Sequence, residues 1–192
     1  MFSAIGRIAR AVGDVPVTAD IEAGYGLAPD ALVRRLVQAG AIGCNLEDTD
    51  HGGSGQLRNA DEQVERLRAV RRAATASGVN LVLNARLDVF LRLQSEPADE
   101  VLDEALRRAQ LYADTGADCV FPIGAPDEAA ISALVEAVPL PINVIAGFRG
   151  APGLPRLREL GVRRISFAGR LHRAFLQDHQ RRLETIRRWE DI

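Results

Sequence analysis

The sequence predicts an α/β fold of the (β/α)8 TIM-barrel type in which some strand–helix units are missing. Short apolar runs alternate with segments of helical periodicity, as in a parallel α/β fold. A helix end, a glycine and a strand start recur together at 38–43, 115–120 and 159–164. Carboxylates stand at strand ends and no Gly-x-Gly-x-x-Gly follows the first strand, which favours a barrel over an open doubly wound sheet.

The elements follow one another in strict alternation. Helical spacing of apolar residues predicts helices at Phe2–Val12, 29–39, Ala60–Ser77, Ala98–Thr115, Asp127–Ala137, Leu154–Leu160 and Leu171–Trp189. Six apolar runs predict strands at Val15–Asp20, Ala41–Glu47, Val79–Arg86, Asp118–Pro122, Pro141–Ile145 and Val162–Phe167. A glycine follows several helices where a C′ residue is expected, as Gly40 does after the second helix. The six strand–helix units indicate a single partial barrel domain over 1–192, with 171–192 as its C-terminal helix.

Composition limits the partners and the cellular location that we expect for the protein. The chain has 192 residues, enough for one substantial core, and a net charge of −2 that favours neither nucleic acid nor an anionic membrane as a partner. No apolar run reaches the length of a membrane span, and the N-terminus lacks the apolar region of a signal peptide. Cys44 and Cys119 each lie in a predicted strand, so we expect buried thiols and a cytoplasmic location.

The absence of lysine excludes one class of chemistry. All 24 basic residues other than histidine are arginine. A Schiff-base mechanism needs a lysine amine, so class I aldolase chemistry and covalent pyridoxal phosphate attachment are excluded. Arginine instead suits bidentate binding of a carboxylate or phosphate.

The stretch Val15–Gly26 carries the first candidate site residues. An apolar run ends in Asp20 and Glu22, and glycines follow at 24 and 26. Residues two apart in a strand point the same way, so we expect the two carboxylates to face one point. Paired carboxylates with room beside the backbone suit a hard divalent cation. A solvated acidic loop is the alternative interpretation.

The next two strands end in polar residues as well. The second ends in Glu47, with Asn45 on the same face, and the third in Asn84, Arg86 and Asp88. Neighbouring strands lie ~4.8 Å apart, so these groups can converge. Three carboxylates would hold Mg²⁺, and Arg86 would bind the carboxylate of a 2-oxo acid. An internal ion pair between Glu47 and Arg86 is the structural alternative.

Five segments resemble the isocitrate lyase / phosphoenolpyruvate mutase superfamily, in order and spacing, over nearly the whole chain. They are Val15–Gly26, Gly43–Asp48, Asn84–Phe90, Pro141–Val144 and Gly161–Ser166. The resemblance implies a (β/α)8 barrel whose last helix is swapped between subunits of a homodimer or homotetramer. It implies Mg²⁺, with Mn²⁺ as a substitute, held at the positions of Asp20, Glu22 and Glu47, and a carboxylate-binding arginine at Arg86. It implies chemistry at C–C or P–C bonds next to an enolpyruvate, or hydrolysis of such substrates.

Two departures from the family pattern leave the exact reaction open. The lid motif that follows the acid at Glu47 contains lysine and cysteine in the lyase branch, whereas this chain has His51-Gly-Gly-Ser-Gly55. Family members also have two more strands, with a substrate-binding Ser-Gly loop, before the strand that holds Asp20. We therefore expect a Mg²⁺-dependent lyase-like enzyme on a small 2-oxo acid or dicarboxylate. The alternatives are an inactive or truncated barrel with a structural role and a phosphonopyruvate mutase or hydrolase.

The expected roles complete the sequence prediction. Catalytic roles fall to Arg86, Glu47 and His51, and substrate contacts to Arg86, Asn84 and Asn143. A phosphate-binding isomerase barrel is a third interpretation, and it rests only on the arginines of 163–170.

Overall fold

The computed structural model describes residues 1–147 and 150–189. In this part of the chain the strands are β1 (Val17–Asp20), β2 (Ala41–Glu47), β3 (Val82–Leu87), β4 (Cys119–Pro122), β5 (Asn143–Ile145) and β6 (Arg164–Ser166). The helices are α1 (Phe2–Val12), α2 (Pro29–Gln38), α3 (Ala60–Ala76), α4 (Val89–Arg92), α5 (Ala98–Ala113), α6 (Glu128–Ala137), α7 (Leu154–Glu159) and α8 (Arg170–Arg187).

The strands run parallel and follow chain order. β1, β2, β3 and β4 form one sheet, and β5 pairs with β6 in a second. A parallel bridge between Val120 and Ile142 connects the two sheets. Arg164 Nη2 on β6 donates to Thr18 Oγ1 on β1 at 3.3 Å, so a side-chain contact joins the first and last strands. This order confirms the predicted parallel α/β architecture of six strand–helix units.

Element boundaries differ from the prediction by a few residues. β1 begins at Val17 rather than Val15, and Pro16, which has no N–H to donate, lies just before it. β3 begins at Val82 because the N–H of Val79 still closes the preceding helix by donating to Ala74 O at 3.0 Å. The short helix α4 follows β3 directly, and its four residues are too few to show helical periodicity.

The core lies between the β1–β4 sheet and the helices that cover it. Leu36 of α2, Leu67 of α3 and Ala109 of α5 are fully buried, as are Leu46 of β2 and Leu83 of β3. These side chains follow the predicted apolar stripes of the helices and the inner positions of the strands. The core therefore fixes the directions of β1, β2 and β3, whose C-terminal ends carry the candidate site.

Helix α8 is the exception to this packing. It contains no buried residue. Its apolar side chains are all exposed: Leu171, Phe175, Leu176, Leu183 and Ile186. The helix predicted at 171–192 corresponds to α8, and residues 190–192 of that prediction lie outside the described residues.

Both cysteines are buried and unpaired, as predicted. Burial raises the pKa of Cys44 to about 12 and that of Cys119 to about 11. Both thiols therefore stay protonated at neutral pH and carry no part of the site. Among residues 1–147 and 150–189, no helix combines the length and the apolar character that crossing a membrane requires.

Candidate active site

Strand register brings the predicted polar residues of three strands to one end of the sheet. Asp20 of β1 lies beside Asn45 of β2, and Asn45 lies beside Asn84 of β3. Two residues further along, Glu47 lies beside Arg86. The convergence predicted from strand spacing is confirmed for these five residues.

Arg86 is the centre of the cluster. Its Nη1 lies 3.0 Å from Asp20 Oδ2 and 2.6 Å from Glu47 Oε2, and its Nε donates to Asp88 Oδ1 at 2.8 Å. Burial alone would lower the pKa of Arg86, but the charges of Asp88, Glu47 and Asp20 outweigh it and raise the pKa. The ion pair between Glu47 and Arg86 is thus present, within a group of three carboxylates around one guanidinium.

Glu47 is buried and only partly satisfied. Its Oε1 pairs with Nε2 of His51, four residues further along the chain. Its Oε2 forms an ion pair with Arg86 Nη1 at 2.6 Å and has no partner in hydrogen-bond geometry among the described residues. Burial is the main reason that the pKa of Glu47 lies above its ordinary value, and the charge of Asp88 adds to the shift. The guanidinium of Arg86 is therefore the cation that balances this buried oxygen.

The expected geometry of Glu22 was wrong. β1 ends at Asp20, so strand alternation does not reach Glu22, which lies in a turn at φ 51° with an exposed side chain. The turn is held from both sides: the Glu22 N–H donates to Asp20 Oδ1 at 3.2 Å, and the Glu22 carbonyl accepts from the Glu47 N–H at 3.0 Å. The turn, and not the strand, connects the backbone of Glu22 to Asp20 and Glu47.

Tyr25 is a site residue that the sequence interpretation missed. Its pKa is raised by burial and then by the charges of Glu22, Asp20 and Glu47, and it lines the same cavity as Glu22. The ring packs edge-on against Phe2 at 6.1 Å between centroids. A single aromatic residue between Gly24 and Gly26 was the available signal.

Gly24 allows the acidic turn to pack against helix α3. Its φ is +78°, and a Cβ at this position would lie 2.8 Å from Arg66 Nη2. That same nitrogen donates to the carbonyl of Ala23. The Arg66 guanidinium therefore contacts the backbone of the turn and fills the space that a side chain at position 24 would occupy.

The loop between β2 and α3 forms one wall of a cavity beside the acids. An antiparallel bridge between Thr49 and Leu57 joins the two ends of this loop. The cavity has a volume of about 500 Å³ and is lined by Glu22, Ala23, Tyr25, Gly26, Asp50, His51, Gly52, Arg58 and Arg66. His51 thus lies at the site as predicted, whereas the hydroxyl of Ser54 accepts the Gln56 N–H at 3.1 Å inside the loop.

The two predicted substrate-binding asparagines occupy different places. Asn84 Nδ2 donates to Asn45 Oδ1 at 2.8 Å, which connects Asn84 through Asn45 to Asp20. Asn143 lies two strands away on β5 and accepts from the Ser166 hydroxyl at 3.1 Å. Both are fully buried, and within residues 1–147 and 150–189 Asn84 Oδ1 and Asn143 Nδ2 have no hydrogen-bond partner.

The donor set fits Mg²⁺ by its chemistry. Asp20, Glu22 and Glu47 have the carboxylate oxygens that a hard cation prefers. Within the described ranges no three His, Cys, Asp or Glu side chains converge as a metal cluster, because Asp20 and Glu47 bind Arg86 instead. The arrangement therefore holds carboxylates and one cationic side chain at a common point.

Comparison with known proteins places these residues in a family context. Residues 1–187 match the family model of phosphoenolpyruvate phosphomutase. Oxaloacetate decarboxylase of Pseudomonas aeruginosa is 32% identical over 171 residues, which are 83% of this chain and 53% of that protein. The chain spans about half the length of the curated relatives that it matches.

Solved structures confirm the TIM-barrel type of fold. A Burkholderia cenocepacia protein given the provisional name phosphonomutase is 40% identical, with a TM-score of 0.80 over 98% of this chain and 74% of that one. A phosphonopyruvate hydrolase solved in complex with oxalate and Mg²⁺ is 24% identical, with a TM-score of 0.75 over 97% of this chain and 65% of that one. Together they cover all six strand–helix units of the chain.

Proposed function

The chain belongs to the phosphoenolpyruvate phosphomutase family, within the phosphoenolpyruvate mutase / isocitrate lyase superfamily, and on that premise we propose that it is a Mg²⁺-dependent lyase-like enzyme. Its substrate would be a small 2-oxo acid or dicarboxylate that reacts through an enolpyruvate-type intermediate. The observation that carries the proposal is the position of Arg86 among Asp20, Glu47 and Asp88 at the ends of three adjacent strands.

Each residue has a separate role in this proposal. Asp20, Glu22 and Glu47 would hold Mg²⁺, in part through water. The metal would supply Lewis-acid polarisation of the 2-oxo group. Arg86 would bind the substrate carboxylate through its guanidinium. Holding the cation and the guanidinium side by side would orient a 2-oxo acid with its charged end fixed.

Polar side chains around this centre would complete the pocket. Among the described residues, the buried Asn143 Nδ2 and Asn84 Oδ1 have no hydrogen-bond partner. Asn143 Nδ2 would donate to a substrate oxygen, whereas Asn84 Oδ1 would accept from a substrate hydroxyl. His51 contacts Glu47 and lines the cavity, so it is the candidate group for proton transfer. Its side chain is 40% exposed, which leaves it accessible to a substrate in the cavity.

The relatives favour bond chemistry next to a 2-oxo acid without selecting one reaction. Oxaloacetate decarboxylase acts on a 2-oxo dicarboxylate, which supports a lyase-like activity. The likeness to a provisional phosphonomutase and to a phosphonopyruvate hydrolase supports P–C bond chemistry as the alternative. The loop at 51–55 has neither lysine nor cysteine, which weighs against a lyase mechanism that depends on a lid cysteine.

We also propose that α8 docks on a second copy of this chain, in a homodimer or homotetramer. The apolar stripe of the helix is exposed along its length, with Phe175 67% exposed. Stripes of this size at helical spacing are normally covered. The same feature supports the second candidate function, a barrel with a purely oligomeric role.

A substrate panel tests the catalytic proposal. Oxaloacetate, 2-methylisocitrate and phosphonopyruvate are incubated with the protein in Mg²⁺ or in EDTA, and release of 2-oxo acid, CO₂ and phosphate is followed. We expect Mg²⁺-dependent turnover of at least one substrate, and a loss of about hundredfold in Arg86→Lys because a lysine cannot reproduce the bidentate geometry. Arg34→Lys, at an exposed pair with Asp30, is the control. No turnover of any compound would favour the oligomeric role.

A further inference from the structure

Three polar side chains are buried together behind the site and have no part in binding metal or substrate. They are Asp48, which follows Glu47 in the chain, and Arg108 and Tyr112 of helix α5. Asp48 and Tyr112 are fully buried and Arg108 is 6% exposed. Burying a charged pair is costly unless its hydrogen bonds are satisfied. This buried cluster therefore calls for a functional explanation.

One arm of the buried cluster leads to Arg86. Asp48 Oδ2 accepts from the Tyr112 hydroxyl at 2.8 Å and from Arg108 Nη1 at 3.0 Å. Asp48 Oδ1 accepts the backbone N–H of Asp88 at 2.8 Å. The Asp88 carboxylate in turn accepts from Nε and Nη2 of Arg86 at 2.8 and 3.3 Å. A continuous chain of hydrogen bonds thus runs from α5 to the guanidinium.

The other arm leads to the base of the loop that carries His51. The Arg58 N–H donates to the Asp48 carbonyl at 2.7 Å. Arg108 Nη1 donates to the Arg58 carbonyl at 2.9 Å. The guanidinium of Arg108 therefore holds both the carboxylate of Asp48 and the far end of the loop. Both α5 side chains bind Asp48, where the loop leaves β2, and Arg108 also binds Arg58, where the loop returns.

We propose that Asp48, Arg108 and Tyr112 are positioning residues, which hold Arg86 and the base of the His51 loop in register with each other. The inference rests on the proposed function for its readout, since Arg86 is the group that would bind substrate carboxylate. Arg108 and Tyr112 are four residues apart and so share one face of α5. A side chain that acts through Arg86 affects oxalate binding without contacting oxalate.

The test compares conservative variants by calorimetric titration of Mg²⁺ and then of oxalate, a mimic of the pyruvate enolate. Tyr112→Phe removes one hydroxyl and keeps the ring. Arg108→Gln and Arg107→Gln each remove a contact to Glu104, but only Arg108 also contacts Asp48. We expect oxalate affinity to fall about tenfold in Tyr112→Phe and in Arg108→Gln, with Mg²⁺ affinity kept and Arg107→Gln unchanged.

Repeating the comparison in an Arg86→Lys variant distinguishes an effect that acts through Arg86 from a general loss of oxalate affinity. In Arg86→Lys, Tyr112→Phe is expected to cause no further loss of oxalate affinity, because its effect runs through the guanidinium that is already gone. Losses that multiply in the double variant would overturn the inference. Unchanged oxalate affinity in Tyr112→Phe alone would overturn it too.

If the wild-type protein binds no oxalate, a measurement that needs no ligand tests the inference instead. That result would count against the proposed function and not against the positioning role. Hydrogen exchange of the Asp88 backbone amide, which donates to Asp48, then gives the answer. Exchange about tenfold faster in Tyr112→Phe than in Arg107→Gln supports the inference. Equal rates in the two variants overturn it.

Discussion

The C-terminal ends of β1–β3 and helix α8 are built in opposite ways. At the strand ends, charges are buried and bound to each other: Asp88 is fully buried and the Arg86 side chain is 14% exposed. Along α8, apolar side chains are exposed and the ion pairs are short-range surface pairs such as Arg182 with Asp178. In the first region the charges are paired within the chain, whereas the second has an apolar face that the described residues leave exposed.

The difference separates a region held by contacts within the chain from a helix that we propose is covered by a second copy. The strand ends are fixed by the core and by hydrogen bonds between distant segments, so we expect the acids and Arg86 to keep their arrangement without a partner. Exposed apolar stripes lower solubility and favour association. We therefore expect α8 to determine assembly and the strand ends to determine chemistry.

Removing Arg86 is the largest expected perturbation of the comparison. Arg86→Met leaves the buried carboxylates of Glu47 and Asp88 without their cation, and we expect the free energy of unfolding to fall by about 3–5 kcal/mol. Denaturant unfolding at neutral pH measures the change. The control is Arg34→Met at the exposed Asp30 pair, where we expect a loss below about 1 kcal/mol. Equal losses in the two variants would show that the strand ends are not a satisfied network.

Charged substitutions on α8 are the next largest. Phe175→Glu with Leu183→Glu places two charges in the apolar stripe, where each buried side chain would contribute roughly 1.5–3 kcal/mol to an interface. We expect sedimentation velocity to show a shift from oligomer to monomer. Gln177→Glu is the matched control on the polar side of the helix. A wild-type protein that sediments as a monomer at all concentrations would contradict the assembly proposal.

The smallest expected effect is at Glu104, where the free energy of unfolding should depend on pH. Hydrogen bonds from Arg107 lower the pKa of Glu104 below its ordinary value of 4.5. Partial burial opposes this shift, and a hydrogen bond from Arg108 adds to it. The lowered pKa means that the stabilisation is fully present above pH 4.5 and is lost as the pH falls through the folded-state pKa.

We expect Glu104→Gln to cost about 1 kcal/mol at pH 7, and the difference from wild type to shrink on acidification below pH 4.5. Urea unfolding at a series of pH values measures it. In an Arg107→Gln background the difference should be smaller throughout. A difference that grows on acidification would reverse the sign and disprove the assignment.

Much of the fold and part of the site could be predicted from the sequence, because both depend on local patterns. Strand ends follow from apolar runs, and parallel neighbours bring their ends together, which is why Glu47 and Arg86 could be paired in advance. The boundaries of β1 and β3 could not, since they depend on hydrogen bonds at the preceding residues. Glu22 was expected to follow the side-chain alternation of the strand beyond Asp20, because its left-handed backbone conformation leaves no pattern in the sequence.

The buried support of the site was beyond such patterns. Asp48 binds Arg108 and Tyr112 across sequence separations of 60 and 64 residues. In the sequence, Arg108 is one of two adjacent arginines on a helix and Tyr112 one position of an apolar stripe. Only the packing of α5 against the loop base shows that both meet the same carboxylate.

The most direct test of the central claim is a thermal-shift titration with Mg²⁺, with and without oxalate. At ligand concentrations ~100 times the dissociation constant, binding stabilises the folded state by about 2.7 kcal/mol. We predict a rise in melting temperature with Mg²⁺, a larger rise with Mg²⁺ and oxalate together, and neither in Glu47→Ala. The contradicting result is a wild-type protein that melts cooperatively at the same temperature without ligand, with Mg²⁺ and with Mg²⁺ and oxalate. It would show that these acids and Arg86 do not form a metal-dependent site for 2-oxo acids.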